Sequence, residues 1–328
     1  MYPAAASLDA PVIDRFADAL DEPRNTLVRT SQPAEDALDF ARSVAAGLAA
    51  TPRRMECRFL YDAQGSHLYE AITQQPEYYP SRTEAEILNR YAPTIARHTG
   101  PVTLVELGAG TSVKTDHLLR AYQVHEPEVT YVPIDVSLSA LELGMETIAR
   151  RRPAVQVVGI NGTYDDAFPL LSTAAPNLVA FLGSTIGNLN DDEAHRFWRK
   201  VQHHLSPGDY LLLGVDLVKH PSTLEAAYND AAGVTAQFTC NLFARMNREL
   251  DAGLDLTHIH HEARWNEQAS QIEIDARFSA DQTLRVGPLG QSFDILRGEQ
   301  VRVEISRKFR LDRLSDYLWE YGLGTVQA

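Results

Sequence analysis

Between residues 103 and 218, five short apolar runs alternate with stretches of helical period. The runs are TLVEL (103–107), YVPIDVS (131–137), VQVVGI (155–160), LVAFLG (178–183) and YLLLGVDLV (210–218). Helical spacing lies between them, as in LSALELGMETIARRR (138–152) and DDEAHRFWRKVQHHL (191–205). Strands that are apolar on both faces must be covered on both faces, so the pattern predicts an α/β fold with a doubly wound parallel sheet. Such sheets bind ligands beyond the C-terminal strand ends, near the point where the strand order reverses.

The flanks read differently. Residues 1–40 are predicted to be a leader, broken by Pro3, Pro11, Pro23 and Pro33, with at most one short helix. An amphipathic helix is predicted over 34–50, and residues 66–72 read as helical. Pro76 and Pro80 bracket a turn carrying Tyr78 and Tyr79. Ser81 with Glu84, and Thr83 with Glu86, have capping-box spacing, which predicts a helix start there. After residue 219, the stretch 225–250 reads as helix, and 257–287 and 301–309 alternate like antiparallel strands. The expected organisation is therefore a leader (1–40), a cofactor-binding domain (41–218, with 309–328 returning to it) and an inserted α+β substrate domain (219–308). GTVQA at 324–328 reads as the start of a further strand.

Charge narrows the partners. The 328 residues carry 30 basic and 44 acidic side chains, a formal charge of −14. Such a surface repels nucleic acid and anionic lipid. The basic run Arg150–Arg152 sits at a predicted helix end, where cations suit the dipole. Two cysteines, Cys57 and Cys240, are too few for a disulfide framework. No apolar run reaches the length of a membrane span, and no signal peptide is read at the N-terminus. A cytoplasmic monomer acting on a small molecule is the expectation.

ELGAGTSVKT (106–115) follows the first strand. Its glycines let backbone approach a ligand at a helix N-terminus, although Val113 stands where a dinucleotide-binding loop has its third glycine. Glu106 precedes the loop, and Asp135 closes the next strand, where a carboxylate can accept both ribose hydroxyls. That arrangement suits a nucleoside cofactor such as S-adenosylmethionine (SAM). FLGSTIGN (181–188) has a hydrolase reading, but a nucleophile elbow is G-x-S-x-G and here Ser184 directly follows Gly183. The loop is better read as a holding surface, with the amide of Asn188 able both to donate and to accept. His258 and His260 in THIHH lack a completing ligand, and a solvated strand face is expected rather than a metal site.

Together, FLYDAQGSHLYEAITQQPEYYPSRTEAEIL, LVELGAGTSVKT, FLGSTIGNL, LLLGVDLVK, AYNDAAGVTAQF, NREL and VEISRKF resemble the histidine-specific SAM-dependent methyltransferases of ergothioneine biosynthesis, from about residue 40 to the end. The resemblance implies a Rossmann-like class I SAM methyltransferase domain with a second substrate domain, no metal, and transfer of three methyl groups to the α-amine of histidine. By motif it implies SAM contacts from Tyr61, Gly108, Lys114 and Asp135. Where the family usually has an Asp-Phe pair for the adenine, this chain has Thr163-Tyr164. Substrate contacts are implied for Tyr78, Asn188, Tyr228, Glu304 and Ser306, with Tyr78 and Asn188 orienting the amine and Glu304 and Ser306 reading the imidazole. Phe238 and the tyrosines offer aromatic faces to a quaternary ammonium. The alternatives are a betaine synthase for tryptophan or tyrosine, and a silent sensor of SAM or an amino acid.

Overall fold

The computed structural model describes residues 12–22, 25–126 and 128–328. Its main sheet has six strands: β1 (Thr26–Arg29), β2 (Thr103–Leu107), β3 (Val129–Asp135), β4 (Val155–Asn161), β5 (Asn177–Phe181) and β6 (Tyr210–Leu213). Their order is β1-β4-β3-β2-β5-β6, and every neighbouring pair is parallel. From β2 the chain winds outward through β3 and β4, then returns to place β5 on the other side of β2. The order thus reverses between β2 and β5, and both strands end at the loops singled out by sequence.

Alternate residues feed two cores. Val105, Leu107, Val132, Ile134 and Phe181 face Phe168, Phe197 and Trp198, whereas Leu104, Tyr131, Val157 and Ala180 face Leu88, Leu118, Leu141 and Met145. The helices before and between the strands are α1 (Val12–Asp21), α2 (Pro33–Ala49), α3 (Ala63–Thr73), α4 (Tyr79–Thr99), α5 (Asp116–Tyr122), α6 (Leu138–Arg151), the short α7 (Tyr164–Ala167) and α8 (Leu171–Ala174), and α9 (Asp191–His204). The start of α4 differs from the capping-box reading. Tyr78 is its N-cap and Pro80 lies in its first turn, where a fixed φ and a missing N–H are tolerated. Ser81 and Thr83 are already helical.

The second half forms α10 (Pro221–Tyr228), α11 (Val234–Leu250), a three-stranded antiparallel sheet, a two-stranded hairpin and α12 (Leu311–Trp319). In that sheet β11 (Gln300–Arg307) pairs with β8 (Gln271–Phe278), which pairs with β7 (Ile259–Asn266); β9 (Gln282–Val286) pairs with β10 (Gln291–Ile295). The single helix expected over 225–250 is broken at residues 229–233. Gly233 takes φ +71°, and the Asp230 carboxylate accepts from Val234 N and Thr235 N, capping the new helix.

Packing does not follow the boundaries expected at residues 41 and 219. Phe40, Val44, Leu60 and Leu68 share a core with Leu224, Leu242, Ile274 and Val303, so α2 and α3 belong with the second half. The predicted leader contributes α1, through buried Phe16 and Ala19, and the edge strand β1; residues 1–11 lie outside the described residues. Residues 323–328 form no strand. Tyr317, Leu318 and Tyr321 instead pack with Trp198 on the first sheet's core.

Candidate active site

At the end of β2 the chain turns through Gly108 (φ +72°), Gly110 (φ +51°) and Ser112 (φ +56°), left-handed positions that favour glycine. A Cβ on Gly108 would sit 3.0 Å from the Tyr164 hydroxyl, so the loop passes tightly against that ring. Asp135, at the end of β3, accepts from Gly110 N at 2.7 Å and Ser137 N at 2.8 Å. Burial pushes its carboxyl up and these N–H donors oppose the shift. Behind the loop, buried Glu106 accepts the Tyr131 hydroxyl. Burial raises Glu106 to about 7, against hydrogen bonds and the Lys114 charge.

Lys114 pairs with Glu84 of α4, whose other oxygen accepts from Gly183 N at 2.7 Å. One carboxylate thus joins the loops after β2 and β5. Burial alone would lower the Lys114 ammonium, but Glu84 outweighs it and the pKa is raised. Helix α3 closes over the loops after β2 and β3: Ser66 Oγ meets Ser137 Oγ at 2.6 Å, and Thr111 Oγ1 donates to Glu70 Oε1 at 2.9 Å.

On the opposite wall, Asn188 Nδ2 donates to Glu304 Oε1 at 2.9 Å. Burial lifts Glu304 to about 7, with Lys308 and Asn188 pulling the other way. Beside them the Cys57 thiol is pushed up to about 12, first by burial and then by the Glu304 charge, so it is a poor nucleophile. Two residues beyond Glu304, Ser306 Oγ lies 2.7 Å from the Tyr228 hydroxyl. Fully buried Lys308 donates to Tyr228 Oη and Ser306 Oγ, both at 2.9 Å, and pairs with Asp216 Oδ2 at 3.0 Å. Burial tends to raise Asp216, but Lys308, Lys219 and the Tyr79 hydroxyl outweigh it and hold the carboxyl low.

Five rings meet edge-on or tilted nearby: Tyr61–Phe238 at 5.4 Å, Tyr61–Tyr69 at 5.6 Å, Tyr69–Tyr78 at 6.4 Å and Tyr78–Tyr228 at 6.0 Å. Burial raises the Tyr61 and Tyr78 phenols well above the ordinary value, so both stay protonated and neither is a base.

Of the residues singled out by sequence, Tyr61, Gly108, Lys114, Asp135, Thr163, Tyr164, Asn188 and Glu304 line one cleft of about 1910 Å³. Tyr78, Tyr228 and Ser306 are buried beside it, joined to the wall residues through the rings and Lys308. Thr163 caps α7: its N and Oγ1 both donate to Asp166 Oδ2 at 2.8 Å. Ser184 has φ +57° and is buried, with its Oγ accepting from Asp216 N at 2.9 Å. It is a loop anchor rather than a nucleophile. His258 and His260 each meet Ser279 Oγ at 3.1 Å. Among the described residues, no group of three or more His, Cys, Asp or Glu is placed to hold a metal ion, and no helix is long and apolar enough to cross a membrane. Sequence reasoning missed Glu84, Asp216, Lys308 and Tyr69. Only Lys308 carried a signal: it stands four residues after Glu304, on the same strand face.

Residues 40–328 match the family model of the histidine-specific, SAM-dependent methyltransferases. The chain belongs to this family. A histidine N-alpha-methyltransferase of Mycolicibacterium smegmatis is 42% identical over 282 residues, covering 86% of this chain and 88% of that protein. That of Mycobacterium tuberculosis is 40% identical over 295 residues, covering 89% and 92%. Ergothioneine biosynthesis protein 1 of Neurospora crassa is 33% identical over 196 residues, covering 58% of this chain and 22% of that protein. For a histidine-specific methyltransferase the cleft has a consistent division. The glycine turn and Asp135 sit at the C-terminal ends of the parallel strands, and Glu304 faces them from the second sheet.

Proposed function

We propose that the protein transfers three methyl groups in succession from SAM to the α-amine of L-histidine, giving hercynine, within ergothioneine biosynthesis. The Asn188–Glu304 hydrogen bond carries this reading. It joins the loop at the mouth of the glycine cradle to an acid that shares a strand face with Ser306. The donor set fits SAM: a carboxylate ending the second central strand for the ribose, a left-handed glycine turn for close backbone approach, and the Tyr61 and Tyr164 rings.

SAM, when bound, brings an already activated methyl carbon, so the protein's task is to hold an amine in line with it. Asn188 has one N–H committed to Glu304 and also bonds the Cys57 thiol, leaving its carbonyl for the amino acid. The Tyr78 phenol stays protonated and acts as a donor. Glu304 and Ser306 face the imidazole. The rings of Tyr61, Tyr69 and Phe238 take the growing cationic ammonium without needing a hydrogen bond from it. A monomeric cytoplasmic enzyme acting on a free amino acid is the setting this reading implies.

Incubation with SAM and each of histidine, tryptophan and tyrosine, followed by mass spectrometry, tests it. Histidine is expected to gain three methyls. No gain on histidine would sink the reading. Gain on tryptophan or tyrosine instead would make the protein a different betaine synthase, and SAM binding without turnover would make it a sensor.

A further inference from the structure

Lys308 is buried, has no place in the methyl-transfer chemistry, and touches two hydroxyls assigned to the substrate pocket. Its Nζ reaches Tyr228 Oη and Ser306 Oγ at 2.9 Å each and Asp216 Oδ2 at 3.0 Å, which accounts for all three ammonium protons. The two hydroxyls also bond each other at 2.7 Å, with one proton between them. A phenol is the stronger acid of the pair, so Tyr228 donates and Ser306 accepts. Ser306 Oγ then receives from both Tyr228 and Lys308, and both its lone pairs are filled. Its own proton is left free to donate.

Glu304 lies two residues earlier on the same face of β11, about 6.7 Å along the strand. It is an acceptor once ionised, with Asn188 holding one of its oxygens. The wall therefore offers a donor at Ser306 and an acceptor at Glu304. A neutral imidazole is the mirror of that pair, with one bare nitrogen and one N–H. An imidazolium would aim an N–H at an oxygen with no lone pair to give.

We propose that Lys308 is a positioning residue that fills the second lone pair of Ser306, so that Ser306 can offer only its proton and the site selects the neutral side chain of histidine in one tautomer. This rests on histidine being the substrate. The obvious variant, Lys308→Met, leaves Asp216 without its buried partner, so Lys308→Met/Asp216→Asn is made alongside it. The readout is the ratio of kcat/KM for histidine to that for 3-(2-thienyl)alanine, a five-membered ring without nitrogens. In whichever variant folds, the ratio is expected to fall about tenfold or more, while the Kd for SAM stays within about twofold. Ser306→Ala is expected to lower the ratio in the wild type and to have little further effect in the Lys308 background. An unchanged ratio, or a parallel loss of SAM binding, would overturn the proposal.

A measurement on the wild type needs no variant. Ring-15N-labelled histidine bound with S-adenosylhomocysteine at about pH 8, where Glu304 is ionised, is expected to show one neutral tautomer. A bound imidazolium would overturn the proposal. A wild type that fails to methylate histidine at all would instead remove the functional reading beneath it.

Discussion

Asn188 and Glu304 are 116 residues apart in sequence, yet a single 2.9 Å hydrogen bond joins them in the wall of the cleft. One ends the turn after β5 and the other lies in β11, so the two sheets meet at this contact. Glu304→Ala should lower kcat/KM for histidine about tenfold or more, the loss expected for a hydrogen bond to a charged group, while changing SAM affinity about twofold at most. Steady-state kinetics and calorimetry with SAM separate the two. Equal losses would contradict the assigned role.

The same carboxyl sets a pH dependence. Burial raises Glu304 to about 7, so it is protonated and a poor acceptor below that pH and an ionised acceptor above it. Histidine affinity should therefore rise as pH increases through about 7. Glu304→Gln cannot ionise, and its profile should lack this limb while keeping any limb that comes from the substrate's own amine. A retained limb near pH 7 in the variant would assign the titration elsewhere.

The central sheet was legible because each of its strands β2 to β5 is buried on both faces and reads as an apolar run. The strand β1 was not: TLVR is four residues long, lies at the sheet edge and is only half buried. Gly108 and Asp135 could be placed from sequence because the turn after a strand fixes where they point. Glu84 and Asp216 could not, since their roles depend on partners far along the chain; Glu84 and Gly183 are 99 residues apart. The break between α10 and α11 had a visible signal in Asp230 and Gly233, which helical periodicity on either side obscured.

Glu106 should make stability pH-dependent. Its carboxyl rises from an ordinary 4.5 to about 7, chiefly through burial. A raised carboxyl pKa contributes stability that is full below about 4.5 and lost as pH rises through about 7. Glu106→Gln keeps an acceptor for the Tyr131 hydroxyl and cannot ionise. Denaturant unfolding should find it about 3 kcal/mol more stable than wild type near pH 9, with the gain vanishing near pH 4.5. A gain that is independent of pH would point to packing instead.

Gly214 leaves room for the carboxylate that joins the two loops. A Cβ there would lie 2.2 Å from Glu84 Oε1, an atom already held by Gly183 N. Gly214→Ala should displace Glu84, release Lys114, and destabilise the fold by about 1–3 kcal/mol. Glu84→Ala removes the obstructing group, so the double variant should be less destabilised than the sum of the singles by about 1 kcal/mol or more. Additive effects would show that Gly214 acts independently of Glu84.

Thr163 stands where the family motif usually carries an acid, and the structure gives it other work. Its Oγ1 and N both donate to Asp166 Oδ2, and that oxygen also accepts from Thr30 Oγ1 at 3.2 Å. Thr163→Ala removes one of these donors and the side-chain cap of α7, and should lower stability by about 1 kcal/mol. Thr163→Asp keeps a capping oxygen but sets a second carboxylate against Asp166, where like charges disfavour each other. Its SAM affinity should therefore be no better than that of the wild type. Calorimetry decides between the roles: a gain of about tenfold in Thr163→Asp would mean that this position reads the adenine after all, and that the cap is incidental.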